Sequence, residues 1–374
     1  MRQPARGPKR LQKHLSLHGY ICNIGETIAQ KDGVDMRAAV LQDIRDIRVL
    51  DIPEPRPLAE DELIVRVKAV GVCGSDLHSY LEGGTTGPTR VRPFVLGHEF
   101  SGVLTPDSAR KAGFSADALV AVDPSIPCGR CEWCHRGHTN LCPNVKFLGY
   151  APHNGAMAEF VCVPRSAVHL VPDSIDPAGA AILETLGVAI HAMDLAHPRL
   201  LESVAVLGCG PVGLLLVQLA RLAGSGKIIA IDPVEQRTEL ACDLGADVAC
   251  RSYAEVGDAT EGRGVDLVIE ATDSSHGFEH AARCARIGGR VVLVGIPENN
   301  QYILSGAESR RKGLSIKFSR RMPEVYPRAI ALAQGGQVKL APLATHRFSL
   351  DQTPAAFEQQ VARRDGIIKA IICP

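Results

Sequence analysis

Four cysteines within fifteen residues are the strongest chemical signal in this chain of 374 residues. They follow a C-x2-C-x2-C-x7-C spacing at Cys128, Cys131, Cys134 and Cys142. Thiolates this close in sequence can surround one Zn²⁺ tetrahedrally, and the polar residues between them predict a loop with little core, which the metal would stabilise. Four protein ligands leave no open coordination position, so we predict a structural zinc site. Two disulfides of a secreted protein are the alternative.

A second group of metal-ligand residues lies upstream of this loop. Cys73 and the pair His98-Glu99, which follows Gly97, supply a thiolate, an imidazole and a carboxylate. Three protein ligands with a fourth position open to substrate make a catalytic zinc site. Glu184 is a further carboxylate in an apolar run, where an acid is uncommon without a metal or a cation nearby. A single cysteine or histidine is more often a core or hydrogen-bonding residue, so the prediction depends on the combination.

A glycine-rich turn predicts a dinucleotide site. An apolar run is followed by G-x-G-x-x-G with Gly208, Gly210, Pro211, Val212 and Gly213, and then by an apolar helical pattern. The glycines permit a tight turn, close approach of a pyrophosphate and packing of the helix on the strand, while the helix N-terminus attracts phosphate. An ordinary strand–helix turn is the alternative.

The next predicted strand, 228–232, ends in Asp232, which lies 24 residues after Gly208. A carboxylate here accepts hydrogen bonds from a ribose diol and repels a 2′-phosphate, which favours NAD over NADP. Arg237 could reach the same ribose from the other side, or it could be a solvated helix residue.

The pattern of apolar residues indicates an α/β protein, and the length suits two domains. From Met36 to about Leu186, short strands with frequent glycine and proline predict an irregular antiparallel, barrel-like domain. From about Ser203, apolar strands alternate with helical patterns, which predicts a doubly wound parallel sheet with helices on both faces. A helix and two strand-like pieces after Arg321 are expected to return to the first domain.

The composition excludes several kinds of partner. Lys+Arg and Asp+Glu both count 41, so the net charge is zero, which argues against nucleic acid or an anionic membrane. No apolar run reaches the length of a transmembrane helix. Cysteines within apolar runs favour buried reduced thiols, so we expect a cytoplasmic protein. The basic residues 1–35 predict a flexible extension, with a transit peptide as the alternative.

Together these motifs resemble the zinc-dependent medium-chain alcohol dehydrogenase family from Met36 to the C-terminus. The resemblance rests on GVCGSDLH at 71–78, the GHE triplet, the four-cysteine lobe, the glycine motif, Asp232 and Thr345-His-Arg-Phe. The CGSDLH form and the acid at position 184 resemble the polyol, threonine and butanediol dehydrogenase branch, whereas the primary-alcohol branch has a cysteine at 184. Two departures are Thr185, where that branch usually has proline, and Ala-Asp-Ala-Leu at 116–119 in place of Gly-Asp-Arg-Val.

The resemblance implies a GroES-like catalytic domain over 36–187 and 322–374 and an NAD-binding Rossmann domain over 188–321. It also implies two Zn²⁺ per chain, one catalytic and one structural. For the catalytic zinc it implies the ligands Cys73 and His98, with Glu99 as a direct ligand or an adjacent carboxylate, and Glu184 as the third ligand or a carboxylate that exchanges with water. It implies a proton relay through Ser75 and through His78 at the cleft mouth. It also implies an arginine near the cofactor and substrate, at Arg321 or its neighbour Arg320.

The activity implied is hydride transfer between a small secondary alcohol or polyol and NAD(H). A metal-free quinone or enoyl reductase on the same fold and a non-catalytic binding protein are the alternatives. A homo-oligomer is expected, a tetramer or else a dimer, because the apolar strand 291–296 near the end of the sheet would otherwise leave an exposed edge.

Overall fold

The computed structural model describes residues 34–84 and 93–374, so the extension predicted for residues 1–35 lies almost entirely outside the described residues. The strands are β1 (Asp35–Asp43), β2 (Asp46–Pro53), β3 (Glu62–Gly71), β4 (Phe94–Val95), β5 (Glu99–Leu104), β6 (Leu119–Val122), β7 (Ser125–Ile126), β8 (Lys146–Phe147), β9 (Phe160–Pro164), β10 (Val168–Leu170), β11 (Ser203–Leu207), β12 (Lys227–Ile231), β13 (Val248–Cys250), β14 (Val265–Glu270), β15 (Ala285–Leu293), β16 (Ser315–Phe318), β17 (His346–Ser349) and β18 (Ala370–Cys373). The helices are α1 (Gly74–Glu82), α2 (Pro106–Ala112), α3 (Glu132–His135), α4 (Pro177–Ala196), α5 (Pro211–Leu222), α6 (Glu235–Asp243), α7 (Val256–Ala259), α8 (Gly277–Cys284), α9 (Gly306–Lys312), α10 (Tyr326–Gln334) and α11 (Thr353–Ala362).

The N-terminal part is built from mainly antiparallel sheets, as predicted. The larger one has the order β10-β6-β5-β3-β18-β17, and β9 also pairs with β3. The C-terminal strands therefore return to the first part of the chain, where Ile371 of β18 lies opposite Gly71 of β3. This return brings the last residues of the chain beside the segment that carries Cys73.

The parallel sheet predicted after Ser203 is confirmed, and it has six strands in the order β13-β12-β11-β14-β15-β16. Side chains of β11 alternate between two cores. Val204 and Val206 lie in the core that includes α4 and α5, whereas Ala205 and Leu207 lie in the core that includes α8. Because neighbouring residues of a strand point to opposite faces, this division places helices on both sides of the sheet.

The prediction that the apolar strand 291–296 would leave an exposed sheet edge was wrong. Residues 291–293 belong to β15, which is hydrogen-bonded to β14 on one side and β16 on the other. The edge strand at this end of the sheet is β16, which is short and partly polar, with the sequence Ser-Ile-Lys-Phe. Strand order in a parallel sheet follows the crossovers between strands and cannot be read from their hydrophobicity. A strongly apolar strand such as β15 is typical of a strand covered on both faces.

The long helix α4 connects the two sheets. It packs against β3, β5 and β6 on one side and against α5 and β15 on the other, so the domain boundary predicted at residue 187 falls inside a single helix. The helix is long and apolar enough to cross a membrane, but 83% of its most apolar window is buried within the protein. Its apolar surface is thus covered by the protein's own core.

Candidate active site

Three of the predicted metal ligands meet in the interior. The Cys73 thiol, a ring nitrogen of His98 and a carboxylate oxygen of Glu99 all lie within 4.8 Å of one another. His98 and Glu99 are buried and Cys73 is half-buried. Thiolate, imidazole and carboxylate are the donors that Zn²⁺ prefers, and three converging donors leave one tetrahedral position for substrate. The donor set therefore fits a catalytic zinc ion.

Two glycines allow this convergence. Gly71 of β3 lies opposite Glu99 of β5, and a Cβ atom at Gly71 would collide with the Glu99 carboxylate. Gly97 has a φ of +93°, and a Cβ there would lie 2.7 Å from the side chain of Val70. The left-handed backbone and the close approach both favour glycine. The Gly-His-Glu triplet thus turns sharply into β5 and directs its carboxylate towards Cys73.

Asp76 and Ser75 flank the imidazole of His98. Asp76 is 1% exposed, and its carboxylate lies 3.3 Å from Nδ1 of His98, while Ser75 Oγ lies 3.5 Å from Nε2. Burial lowers the pKa of His98, but Asp76 and Cys73 outweigh it and raise this pKa well above its ordinary value. Asp76 also accepts a hydrogen bond from the backbone N–H of Cys73, at 3.0 Å. It therefore orients two of the three donors, a role that the sequence analysis missed.

A buried cation lies beside the cluster. Lys369, directly before β18, donates hydrogen bonds to the carboxylate of Glu99 and to the carbonyl of Val72. Glu99 and nearby Cys73 raise the pKa of Lys369 despite its burial. Sequence reasoning also missed Lys369, although one charge in the run Ile-Ile-Lys-Ala-Ile-Ile is the same signal that identified Glu184.

Glu184 lies near the cluster but outside the three-donor set. It projects from the buried helix α4 and is 6% exposed. Burial raises its pKa to about 8, with the charge of Glu99 adding to the effect and those of His98 and Lys369 opposing it. Glu184 is therefore a buried carboxylate coupled to the cluster, and both of its predicted roles, third ligand or neighbouring carboxylate, stay predictions.

His78 is buried, and not at the mouth of the cleft as predicted. Its Nε2 lies 3.2 Å from the carbonyl oxygen of Ile296, which follows β15 of the parallel sheet, and its Nδ1 lies 3.5 Å from Glu82. His78 is on α1, so this contact spans the space between the antiparallel and parallel sheets.

Arg321 extends over an aromatic ring next to the cluster. Its guanidinium lies 4.4 Å from the centroid of the Phe147 ring, which in turn lies 5.2 Å from the ring of His98. Burial and the adjacent Arg320 lower the pKa of Arg321. Within the described residues, Arg321 Nη1 is buried without a hydrogen-bond partner.

The four cysteines of the loop form a separate cluster. Their sulfur atoms also lie within 4.8 Å of one another, and the Sγ atoms of Cys131 and Cys134 are 3.4 Å apart. A disulfide needs about 2.05 Å, so Cys131 and Cys134 are not bonded to each other here, and all four cysteines of the loop are free thiols in the structure. The backbone N–H of Arg130 lowers the pKa of Cys128 to about 6. A thiol readily ionised in this way suits a metal-binding loop.

The glycine motif lies between β11 and α5, as predicted. Gly208 has a φ of +87°, and a Cβ there would lie 2.7 Å from the carbonyl of Ala271. Gly213 touches the backbone of Gly208, whereas a Cβ at Gly210 would meet no atom within 4 Å. The open position is at the helix N-terminus, where a phosphate would bind. The geometry matches the roles of the three glycines in a dinucleotide-binding turn.

Asp232 and Arg237 lie together at this edge of the sheet. Asp232 accepts hydrogen bonds from the backbone N–H groups of Cys209 and Val234, at 2.8 and 2.9 Å. Arg237 Nη1 is 3.9 Å from the Asp232 carboxylate, and its guanidinium donates to the carbonyl of Ile367. The side chain of Arg237 is only 11% exposed, so the alternative of a solvated helix residue is wrong.

Two family models match the chain. The alcohol dehydrogenase GroES-like domain matches residues 59–173, and the zinc-binding dehydrogenase domain matches residues 211–335. Sorbitol dehydrogenase of Bacillus subtilis (strain 168) is 33% identical over 345 residues, which cover 91% of this chain and 98% of the relative.

Solved structures with the same architecture carry nicotinamide cofactors. A protein from Sinorhizobium meliloti 1021 bound to NADP has a TM-score of 0.81 and 31% identity, with 91% of this chain and all of that chain covered (100%). An alcohol dehydrogenase from Escherichia coli CFT073 complexed with NADH also has a TM-score of 0.81, at 28% identity and with coverage of 91% and 100%.

Proposed function

The chain belongs to the zinc-dependent alcohol dehydrogenase family of NAD(P)-linked oxidoreductases, and from that premise we propose that it oxidises a secondary alcohol or polyol with NAD as the hydride acceptor. The observation that carries the proposal is the buried convergence of Cys73, His98 and Glu99 on one point. A metal-free reductase or a binding protein would have no need of three such donors in its interior.

The chain's own residues would position the substrate and move its proton. A zinc ion held by Cys73, His98 and Glu99 would supply Lewis acidity that lowers the pKa of a substrate hydroxyl, and NAD would supply the hydride acceptor. Ser75 lies beside His98 and would accept the hydroxyl proton by a direct hydrogen bond. His78, one turn further along α1, is the proposed next acceptor of that proton.

A polyhydroxylated substrate suits the groups around the cluster better than ethanol does. Glu184 is buried, Arg321 is half-buried, and the two charged groups are close enough to interact electrostatically. Each would be costly to desolvate beside a purely apolar substrate, whereas hydroxyl groups could hydrogen-bond to both. The sorbitol dehydrogenase that resembles this chain acts on a polyol by its name, which agrees with this substrate class.

NAD is the proposed cofactor because of Asp232. Its carboxylate is held at the end of β12 by two backbone N–H groups, which keep a negative charge where a 2′-phosphate would lie. The lining glycines Gly208, Gly210 and Gly213, with Pro211 and Val212, would hold the pyrophosphate. Arg237 is the proposed cofactor-side cation, whereas Arg321, predicted for the side of the cofactor or of the substrate, is proposed to face the substrate.

A second zinc ion is proposed for the four-cysteine lobe, where it would be structural. Four thiols of the lobe converge, and α3, the helix within the lobe, has no buried residues, so the segment has little core of its own.

The assembly is proposed to be a homotetramer, or else a dimer. Phe318 on the edge strand β16 is 61% exposed, and Ile303 and Leu304 are also exposed. Pairing of two β16 strands would cover these side chains and the free edge. We further propose two domains, one of residues 36–187 and 322–374 and the other of residues 188–321. A cytoplasmic location is also proposed, and the described cysteines are free thiols, as in a reducing compartment.

The test is a set of initial-rate assays on purified protein of known zinc content. Sugar alcohols, diols, L-threonine and simple secondary alcohols are each supplied with NAD⁺ and with NADP⁺. We expect two zinc ions per chain and NAD⁺ reduction by a polyol. Full activity after complete removal of zinc would favour a metal-free reductase.

A further inference from the structure

Asn140 connects the four-cysteine lobe to the active site. It lies in the short turn Thr139–Leu141 and is 5% exposed. Its Nδ2 donates a hydrogen bond of 3.0 Å to the carbonyl oxygen of Arg320 and lies 3.4 Å from His191 Nε2 on α4. A carbonyl can only accept, so the donor must be the amide nitrogen of Asn140. Cys142, two residues later, is fully buried within the thiol cluster.

The accepting carbonyl belongs to a strained turn. Arg320 and Arg321 share one peptide unit, and Arg321 has a φ of +51°. This left-handed conformation costs a non-glycine residue on the order of 1 kcal/mol or more, so it persists only where neighbouring contacts hold it. The hydrogen bond from Asn140 fixes the orientation of the peptide plane that leads into Arg321.

The turn directs Arg321 towards the metal cluster. Its guanidinium stacks on Phe147, and the Phe147 ring contacts the ring of His98. Nη1 of Arg321 is buried and, among the described residues, makes no hydrogen bond. A buried guanidinium nitrogen without a partner is costly unless a ligand supplies an acceptor. A hydroxyl or carboxylate oxygen of a substrate bound at the cluster would be such an acceptor.

We infer that Asn140 is a positioning residue, through which the ordered four-cysteine lobe fixes Arg321 for recognition of a polar group on the substrate. The inference rests on the proposed function. It gives the lobe a second effect, on substrate choice, in addition to its effect on stability.

The decisive experiment compares two substrates in the variants Asn140→Asp and Asn140→Ala. Both remove the donor to Arg320, and the first keeps the shape of the side chain. We expect kcat/KM for the best polyol to fall about tenfold or more, the loss usual for a hydrogen bond to a charged group. For a simple secondary alcohol, which has no second oxygen for Arg321, the change should be smaller than about twofold. Asn144→Asp is the matched control, because Asn144 is an exposed asparagine of the same lobe.

A double variant separates positioning from a general structural effect. If Asn140 acts through Arg321, adding Asn140→Asp to Arg321→Gln should cause no further loss on the polyol. Zinc content and the emission of Trp133, the only tryptophan of the chain and a residue of the lobe, should match wild type in Asn140→Asp. Hydrogen exchange of the peptide that covers residues 319–325 should become faster, while that of the lobe stays unchanged.

Equal losses on both substrates, losses that add in the double variant, or unchanged exchange of residues 319–325 would each overturn the inference. Failure of the proposed function has a different signature, because wild type would then oxidise no alcohol of the panel. The exchange measurement still decides the positioning role in that case, since it requires no turnover.

Discussion

The ammonium group of Lys369 and the carboxylate of Glu99 form an ion pair in which both side chains are 2% exposed. Glu99 is one of the three converging donors, so its charge is shared between this cation and the position that a metal would occupy. The pair lies where β18 meets β3, which makes the C-terminal strand part of the active site.

When the metal site is empty, replacing Lys369 by methionine should destabilise the protein by about 3–5 kcal/mol, because it then leaves the buried Glu99 carboxylate without a cation. Denaturant unfolding measures this change, and Lys339→Met, at an exposed lysine, is the control. The double variant Lys369→Met/Glu99→Gln should recover much of the stability but not the activity. A double variant as unstable as the single one would contradict the pairing.

The two cysteine clusters should respond differently to mutation. Cys131→Ala should lower the melting temperature and remove one zinc ion per chain, because the lobe has little core without its metal. Cys73→Ala should leave the melting temperature close to that of wild type and abolish turnover. Cys242→Ala, at an exposed thiol, is the control. A Cys131→Ala protein that keeps two zinc ions and melts like wild type would exclude the structural role of the lobe.

Asp232 should determine the choice between NAD⁺ and NADP⁺. Asp232→Ser removes the charge that would repel a 2′-phosphate, and the ratio of kcat/KM for NADP⁺ to that for NAD⁺ should rise about tenfold or more. Asp243→Ser, at an exposed acid of α6, should leave this ratio unchanged. A wild-type enzyme that already prefers NADP⁺ would refute the assignment.

Phe318 should contribute to assembly. Phe318→Glu places a charge on the exposed edge strand β16 and should shift the mass measured by light scattering from tetramer or dimer towards the 39.9 kDa monomer. Leu200→Glu, at a side chain that is 75% exposed elsewhere on the surface, is the matched control. A wild-type protein that is monomeric at micromolar concentration would rule out both assemblies.

Local features of the site were predictable from the sequence, and long-range ones were not. The four-cysteine loop and the strand–glycine–helix turn are each formed by residues that are close together in sequence, so their spacing alone was enough to predict them. The pairing of Lys369 with Glu99 joins residues 270 positions apart. The contact of Asp76, on the helix after β3, with His98, directly before β5, depends on the register between β3 and β5. The prediction of an exposed edge at residues 291–296 was wrong because the hydrophobicity of a strand does not reveal its place in the sheet.

The most direct test of the account is the zinc content and NAD⁺ reduction of wild type and Cys73→Ala, measured on the same preparations with a polyol substrate. We predict two zinc ions per chain and turnover for wild type, and one zinc ion and no turnover for a Cys73→Ala protein that is still folded. A Cys73→Ala protein that lacks this zinc ion and yet oxidises the polyol at the wild-type rate would contradict the assignment of Cys73, His98 and Glu99 as the catalytic metal site.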